Sequence, residues 1–229
     1  MAAACPEMSP VLVEVSSVVV ANAHNPSILN HDWLVANNVL PEFHGWEFAE
    51  PPFTTAPLSS LRYQNDVRIL LDPAKLVIAA QTLGRRFEDD TPQERVVAGL
   101  AASYVTILEH IPYVAIGSNF KAYIECANAP RKLVETFGGT GHWTDGLESL
   151  SIKLNHGVGD CERHLDVSSS TTQKPEDDES KTVNVVSLSA NYHRNTPDKD
   201  MALRAIGEIS SDLEDFLRFA TDFGMDIDV

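Results

Sequence analysis

The chain has 229 residues, a formal net charge of −16 and a hydrophobic share of 43%. That apolar fraction fits a folded domain and excludes a chain disordered throughout. A pI near 4.7 excludes the basic footprint that displaces counterions from nucleic acid and disfavours docking on anionic lipid, so neither direct nucleic-acid binding nor membrane binding is expected.

The first residues, Met1-Ala2-Ala3-Ala4-Cys5-Pro6-Glu7, carry no basic segment and no apolar run of signal-peptide length. No stretch approaches the ~18 apolar residues of a membrane span. Cys5, Cys126 and Cys161 are odd in number and widely spaced, which argues against a disulfide framework or a thiolate zinc site. A cytoplasmic setting is expected.

Residues 11–20 (VLVEVSSVVV) are β-branched and partly alternating, the pattern of a strand. Asn30 is placed to cap a short helix over 31–38. Residues 41–60 are rich in proline and aromatics and read as an ordered loop, since a flexible linker rarely carries so many large apolar groups. Residues 61–71 alternate as one strand, Asp72-Pro73-Ala74 turns, and 75–80 return as a hairpin partner. Thr91-Pro92-Gln93-Glu94 is a capping box before a helix that Pro112 ends. Residues 113–126 read as a strand. A short helix opens at Pro130 and ends at Gly138-Gly139. A second hairpin follows over 147–156 and 160–167. The polar segment 168–180 reads as a mobile loop, 181–192 as a strand, and a final long helix starts at Thr196-Pro197.

Three short matches recur at offsets of about one hundred residues: Ala21-Asn22-Ala23 with Ala127-Asn128-Ala129, Lys75-x-Val77 with Lys181-x-Val183, and Thr91-Pro92 with Thr196-Pro197. They predict an internal duplication of a strand–short helix–hairpin–long helix unit. The expected fold class is α+β, an antiparallel sheet with the two long helices on one face. The halves are 1–112 and 113–229, fused into one unit. The charge divides as −7 and −9 between them, so the acidity is not that of a tail.

Few residue patterns carry chemistry. In His156-Gly157-Val158-Gly159-Asp160-Cys161-Glu162-Arg163-His164-Leu165-Asp166, a strand over 160–167 puts Asp160, Glu162, His164 and Asp166 on one face. With His156 across the turn, His156, Asp160, Glu162 and His164 form a candidate divalent-metal set that activates water. The plainer reading is a solvated outer face. Gly138-Gly139-Thr140-Gly141 follows a helix, the wrong context for a phosphate loop. His31-Asp32 and Glu109-His110 sit on helices, where helix-dipole effects explain them. Glu88-Asp89-Asp90, Glu176-Asp177-Asp178-Glu179 and Arg85-Arg86 need no functional account. No catalytic residue and no cofactor is expected.

Asn25-Pro26-Ser27-Ile28-Leu29-Asn30, with Pro41, Glu47 and Ala49-Glu50-Pro51-Pro52, and Pro112-Tyr113-Val114-Ala115-Ile116-Gly117, with Asn119-Phe120, resemble segments of uncharacterised bacterial proteins. The resemblance covers about a tenth of the chain. It implies a bacterial, cytoplasmic setting and assigns no functional residue.

The expected function is therefore a non-catalytic interaction or regulatory protein. It acts as a homo-oligomer or as a subunit of a larger assembly, with the acidic surface meeting a basic partner. Phe43, Trp46, Phe48 and Phe53 are candidate interface anchors, although the same loop can cover the protein's own core. The alternative is a metal-dependent enzyme or small-ligand binder using the 156–166 cluster.

Overall fold

A computed structural model of the chain describes residues 9–41, 45–82, 92–138, 141–144, 146–173 and 182–224. The strands are β1 (Val11–Ala21), β2 (Phe53–Thr54), β3 (Ser59–Arg62), β4 (Val67–Leu71), β5 (Lys75–Gln81), β6 (Tyr113–Glu125), β7 (Ser151–Val158), β8 (Cys161–Gln173) and β9 (Thr182–Asn195). The helices are α1 (His31–Ala36), α2 (Gln93–Ile107), α3 (Ala129–Phe137), α4 (Lys199–Gly207) and α5 (Ile209–Gly224). All nine strands form one sheet in the order β2-β3-β4-β5-β1-β6-β9-β8-β7, and every pairing is antiparallel.

Alternation along the strands decides which face is covered. Val15, Val19, Leu61, Val67, Ile69, Leu71, Leu76, Ile78, Phe120, Leu165, Val167, Leu188 and Ala190 point to one side and are almost fully buried. The helices lie on that side. α2 packs on β1 and β5, α4 and α5 on β6, and α3 on β8 and β9. α1 joins them through Leu34 and through the Trp33 ring, which meets Tyr104 of α2 edge-on at 6.3 Å. Phe120 stacks on Phe216 of α5 at 5.7 Å, and Phe137 of α3 stacks on Phe223 of α5 at 5.6 Å. The side chains that alternate with these point to the second face, and among the described residues no helix packs there.

This architecture corrects the expected fold class. The molecule is mostly one large nine-stranded antiparallel sheet, with more helices than the two long ones of the expected α+β unit. Each expected hairpin belongs to a longer antiparallel meander. The final helix is two helices, broken between Gly207 and Ile209, where glycine is a weak helix former. The short sequence matches carried no information about strand number, which is where the expectation failed.

Local departures have local causes. Residues 61–71 are not one strand. Asp66 adopts φ +63°, and the chain turns between β3 and β4, a conformation that short polar residues tolerate. Residues 168–173, expected in a mobile loop, extend β8 and pair with β9 from Ser168↔Ser187 to Gln173↔Thr182. Polar β-forming threonines suit a strand whose second face meets solvent. Residues 174–180 of that expected loop lie outside the described residues, as do Thr91 of the capping box, Arg85-Arg86, Glu88-Asp89-Asp90 and Glu176-Asp177-Asp178-Glu179. The start of α4 is capped by Asp198, whose carboxylate accepts from the Met201 N–H at 2.8 Å. Thr196 is buried, with its hydroxyl unpartnered. Asn30 caps α1 through the Trp33 N–H at 2.8 Å, and Asn128 caps α3 through the Arg131 N–H at 3.2 Å.

Candidate functional site

The second face of the sheet is left uncovered by the helices of the described residues. Strand register aligns its side chains into rows running across the strands. One row passes Arg62, Arg68, Ala79, Ser16, Asn119, Asn191, His164 and Asn155, from β3 to β7. It is tied by hydrogen bonds: Asn191 Nδ2 donates to Asn119 Oδ1 at 2.6 Å, and Asn155 Oδ1 lies 2.8 Å from His164 Nδ1. A neighbouring row passes Gln81, Glu14, Lys121, Ser189, Asp166 and Lys153. There Lys121 pairs with Glu14 at 3.0 Å and Lys153 with Asp166 at 3.3 Å. The row on the other side passes Leu70, Val77, Val18, Gly117, His193 and Glu162.

Small side chains keep the centre of this face low. Ser16, Ala79 and Ala115 are buried between their strand neighbours. A Cβ on Gly117 would lie 3.2 Å from Asn191 Nδ2 and 3.7 Å from the Val18 Cβ, so the glycine leaves room for the asparagine pair. Charges on the face are close to balanced: Arg62, Arg68, Lys75, Lys121 and Lys153 stand against Glu14, Glu125, Glu162 and Asp166. Arg62 and Arg68 face each other directly across β3 and β4, a like-charge pair that an anionic group between them would relieve.

The candidate metal set does not converge. The β7–β8 register pairs His156 with Arg163, so His156 points to the helix side. Glu162 and His164 point to the open face, where His164 Nε2 lies 3.9 Å from Glu162 Oε2. Asp160 sits in the turn after Gly159, which adopts φ +63°. Among the described residues no group of three or more metal-type ligands comes together.

The aromatic anchors separate. Trp46 meets Tyr63 edge-on at 5.0 Å, and its Nε1–H donates to the Pro41 carbonyl at 3.0 Å. Phe48 stacks on Tyr63 at 5.4 Å. These two rings therefore close the protein's own core. Phe53, on β2, is 52% exposed. Phe43 lies outside the described residues. His31 lies 5.4 Å from the Phe48 ring, edge-on. Gly138 caps the end of α3, while Gly139 and Thr140 lie outside the described residues. Glu109 pairs with Lys199 at 3.0 Å. With His110, Asp198 and Asp200 they line an open depression of about 500 Å³, where the carboxyl of Glu109 is held below its usual range by Lys199.

Two buried polar groups escaped the sequence reading. Arg194 of β9 donates two hydrogen bonds to Asp212 of α5, at 2.7 and 2.6 Å. Beside it, Arg163 of β8 and the Tyr192 hydroxyl, at 2.8 Å, both donate to Asp215 of α5. Burial raises the Asp215 carboxyl, but these donors outweigh it and hold the group below the ordinary carboxylate range. Cys161 adjoins this network, and burial pushes its thiol up, away from the reactive thiolate form. The second group is His24, buried at the end of β1. Its Nε2 contacts the Val19 carbonyl at 3.1 Å and its Nδ1 the Tyr104 hydroxyl at 2.9 Å. The tautomer that satisfies both donates from Nε2 and accepts at Nδ1. Burial lowers the pKa of this imidazole. A charged residue within the apolar stripe of a helix, Asp212 between Ile209 and Phe216, was the available signal for the first group.

No helix of the described residues is long and apolar enough to cross a membrane. A comparison with protein-family models finds no match, and a comparison with curated proteins finds none either.

Proposed function

We propose that the protein is a non-catalytic interaction module that docks a macromolecular partner on the uncovered face of its sheet. The supporting observation is that the helices lie on one side, leaving the second face of the sheet to solvent. A cross-strand row of hydrogen-bonding side chains with a low centre suits an extended partner surface. Charge adds to the argument. A chain of −16 repels acidic molecules from most approaches, whereas the near-balanced face admits close contact. Arg62 and Arg68 offer one end of that face to a partner's acidic group, and the acidity elsewhere attracts basic segments at longer range. The compartment proposed is the cytoplasm.

The test is the size of the native protein in extract of its own cells, for wild type and two variants. Ser189→Arg places a bulky charge on the open face. Ser211→Arg places it on an exposed position of α5. Wild type and Ser211→Arg are expected in an assembly larger than the 25.1 kDa chain, and Ser189→Arg outside it. A wild-type protein that elutes alone, or two variants that behave alike, overturns the reading.

A further inference from the structure

The two edges of the sheet are unequal. β2 is two residues long, whereas β7 is an edge of eight residues bonded on one side to β8. The helix layer reaches β8 and β9 through α3. Beside it Ile152 and Leu154 of β7 remain half-buried, while Ser151, Lys153, Asn155, His156 and Gly157 are exposed.

The backbone of this edge can be assigned. The Leu150 carbonyl accepts from the Ser169 N–H at 2.9 Å, and the same register continues from Ser151↔Ser168 to Val158↔Cys161. In an antiparallel ladder alternate residues turn both backbone groups to the same neighbour. Leu150, Ile152, Leu154 and His156 therefore bond β8. Ser151, Lys153, Asn155 and Gly157 present their N–H and C=O groups outward, with no backbone partner among the described residues. Open edges of this kind are templates for another strand.

We propose that β7 pairs antiparallel with β7 of a second copy of this chain, across a two-fold axis at Leu154. Four arguments select that occupant and register. Outward residues must oppose outward residues, so the axis falls on a residue and not between two. An axis at Lys153 opposes the two Lys153 ammonium groups, which is unfavourable. An axis at Asn155 shortens the overlap by pushing Ser151 past the end of the strand. The axis at Leu154 uses all of 151–157 and sets Ser151 against Gly157, Ile152 against His156, Lys153 against Asn155 and Leu154 against itself. No like charges meet, and Lys153 keeps its Asp166 partner at 3.3 Å. The apolar strip left beside the helix layer then covers its own copy, with Leu154 in the closer, non-hydrogen-bonded type of pair. Finally, 151–157 contains no acidic residue, so this edge lets two strongly acidic chains approach.

The result is a continuous eighteen-stranded sheet joined by about eight backbone hydrogen bonds. A contact of this kind falls among small interfaces, under about 1,200 Å², so the dimer is concentration-dependent. This inference goes beyond the docking proposal and stands or falls separately.

Sedimentation equilibrium of the full chain tests it. The mass is expected to climb toward twice 25.1 kDa as concentration rises. Asn155→Pro removes an outward N–H without touching a backbone bond to β8, although it gives up the side-chain bond to His164, and is expected to weaken dimerisation at least tenfold with the far-ultraviolet spectrum unchanged. Leu154→Cys is expected to form a disulfide-linked dimer on mild oxidation, because non-hydrogen-bonded pairs bring Cα atoms within disulfide range. Ile152→Cys is expected to form none. Ser189→Arg is expected to leave the dimer intact, which separates this edge from the open face. A monomer at every concentration overturns the proposal, as does a dimer that persists in Asn155→Pro without crosslinking through position 154.

Discussion

Replacing Asp212 by asparagine measures what the buried ion pair on α5 contributes. The carboxylate is 5% exposed and the Arg194 side chain 12%, with two hydrogen bonds of 2.6–2.7 Å between them. At an effective dielectric constant near 20, unit charges about 4 Å apart attract by about 4 kcal/mol. Removing one charge also leaves a guanidinium buried without its counter-ion, and such losses run to about 3–5 kcal/mol. For a chain of this size each kcal/mol moves the melting temperature by about 2–4 °C, so Asp212→Asn should lower it by roughly 10 °C. Urea unfolding followed by circular dichroism supplies the free energy directly. The internal control is Asp166→Asn, whose partner Lys153 is 75% exposed, and which should cost under about 1 kcal/mol. The double variant Arg194→Met with Asp212→Leu should recover most of the loss, because the pair's desolvation cost disappears with it. If Asp212→Asn costs no more than Asp166→Asn, water reaches the pair and the reasoning fails.

Four further outcomes follow from the same packing. His24 has a folded pKa lowered from 6.5 by burial, so the unfolded chain binds its proton first. Its contribution is full above about pH 6.5 and is lost as pH falls toward the folded value, with a slope up to about 1.4 kcal/mol per pH unit; His24→Gln should flatten that part of the stability–pH curve in urea titrations. Phe120→Ala removes a fully buried ring stacked on Phe216 and set edge-on to Tyr192, and should cost about 3–5 kcal/mol in chemical unfolding. Asp198→Ala removes the cap of α4 and should cost about 1 kcal/mol, whereas Thr196→Val, at a buried and unbonded hydroxyl, should be neutral or stabilising.

Most strands were legible because alternation is local. β1, β5 and β6 show it plainly, and the end of α3 at Gly138 could be read from a single residue, whereas α2 ends at Ile107, before the proline expected to stop it. What was not legible depended on register. Arg62 and Asn155 share a row only because seven strand pairings line them up, and nothing in either segment records the other. His156 was expected beside His164. One pairing, His156↔Arg163, sends it to the opposite face, since a shift of one residue inverts every side chain. Alternation also shows that a strand has one apolar face, but not whether a second layer covers the other. The break at Gly207 was missed because the apolar stripe continues through it, from Ile206 to Ile209 and Leu213.

The place of β1 in the sheet bears on how the chain is made. It is the first strand in sequence but the fifth in space, between β5 and β6. Its partner Tyr113–Glu125 lies about a hundred residues downstream. At a synthesis rate of about 5–20 residues per second, a nascent chain waits several seconds with one side of β1 bare. Its first ten residues, VLVEVSSVVV, are rich in valine, lack proline and carry one charge, the profile of a segment that associates when left open. During translation the vulnerable edge is thus the one that becomes the centre of the finished protein, and Glu14 is the single charge on hand to guard it.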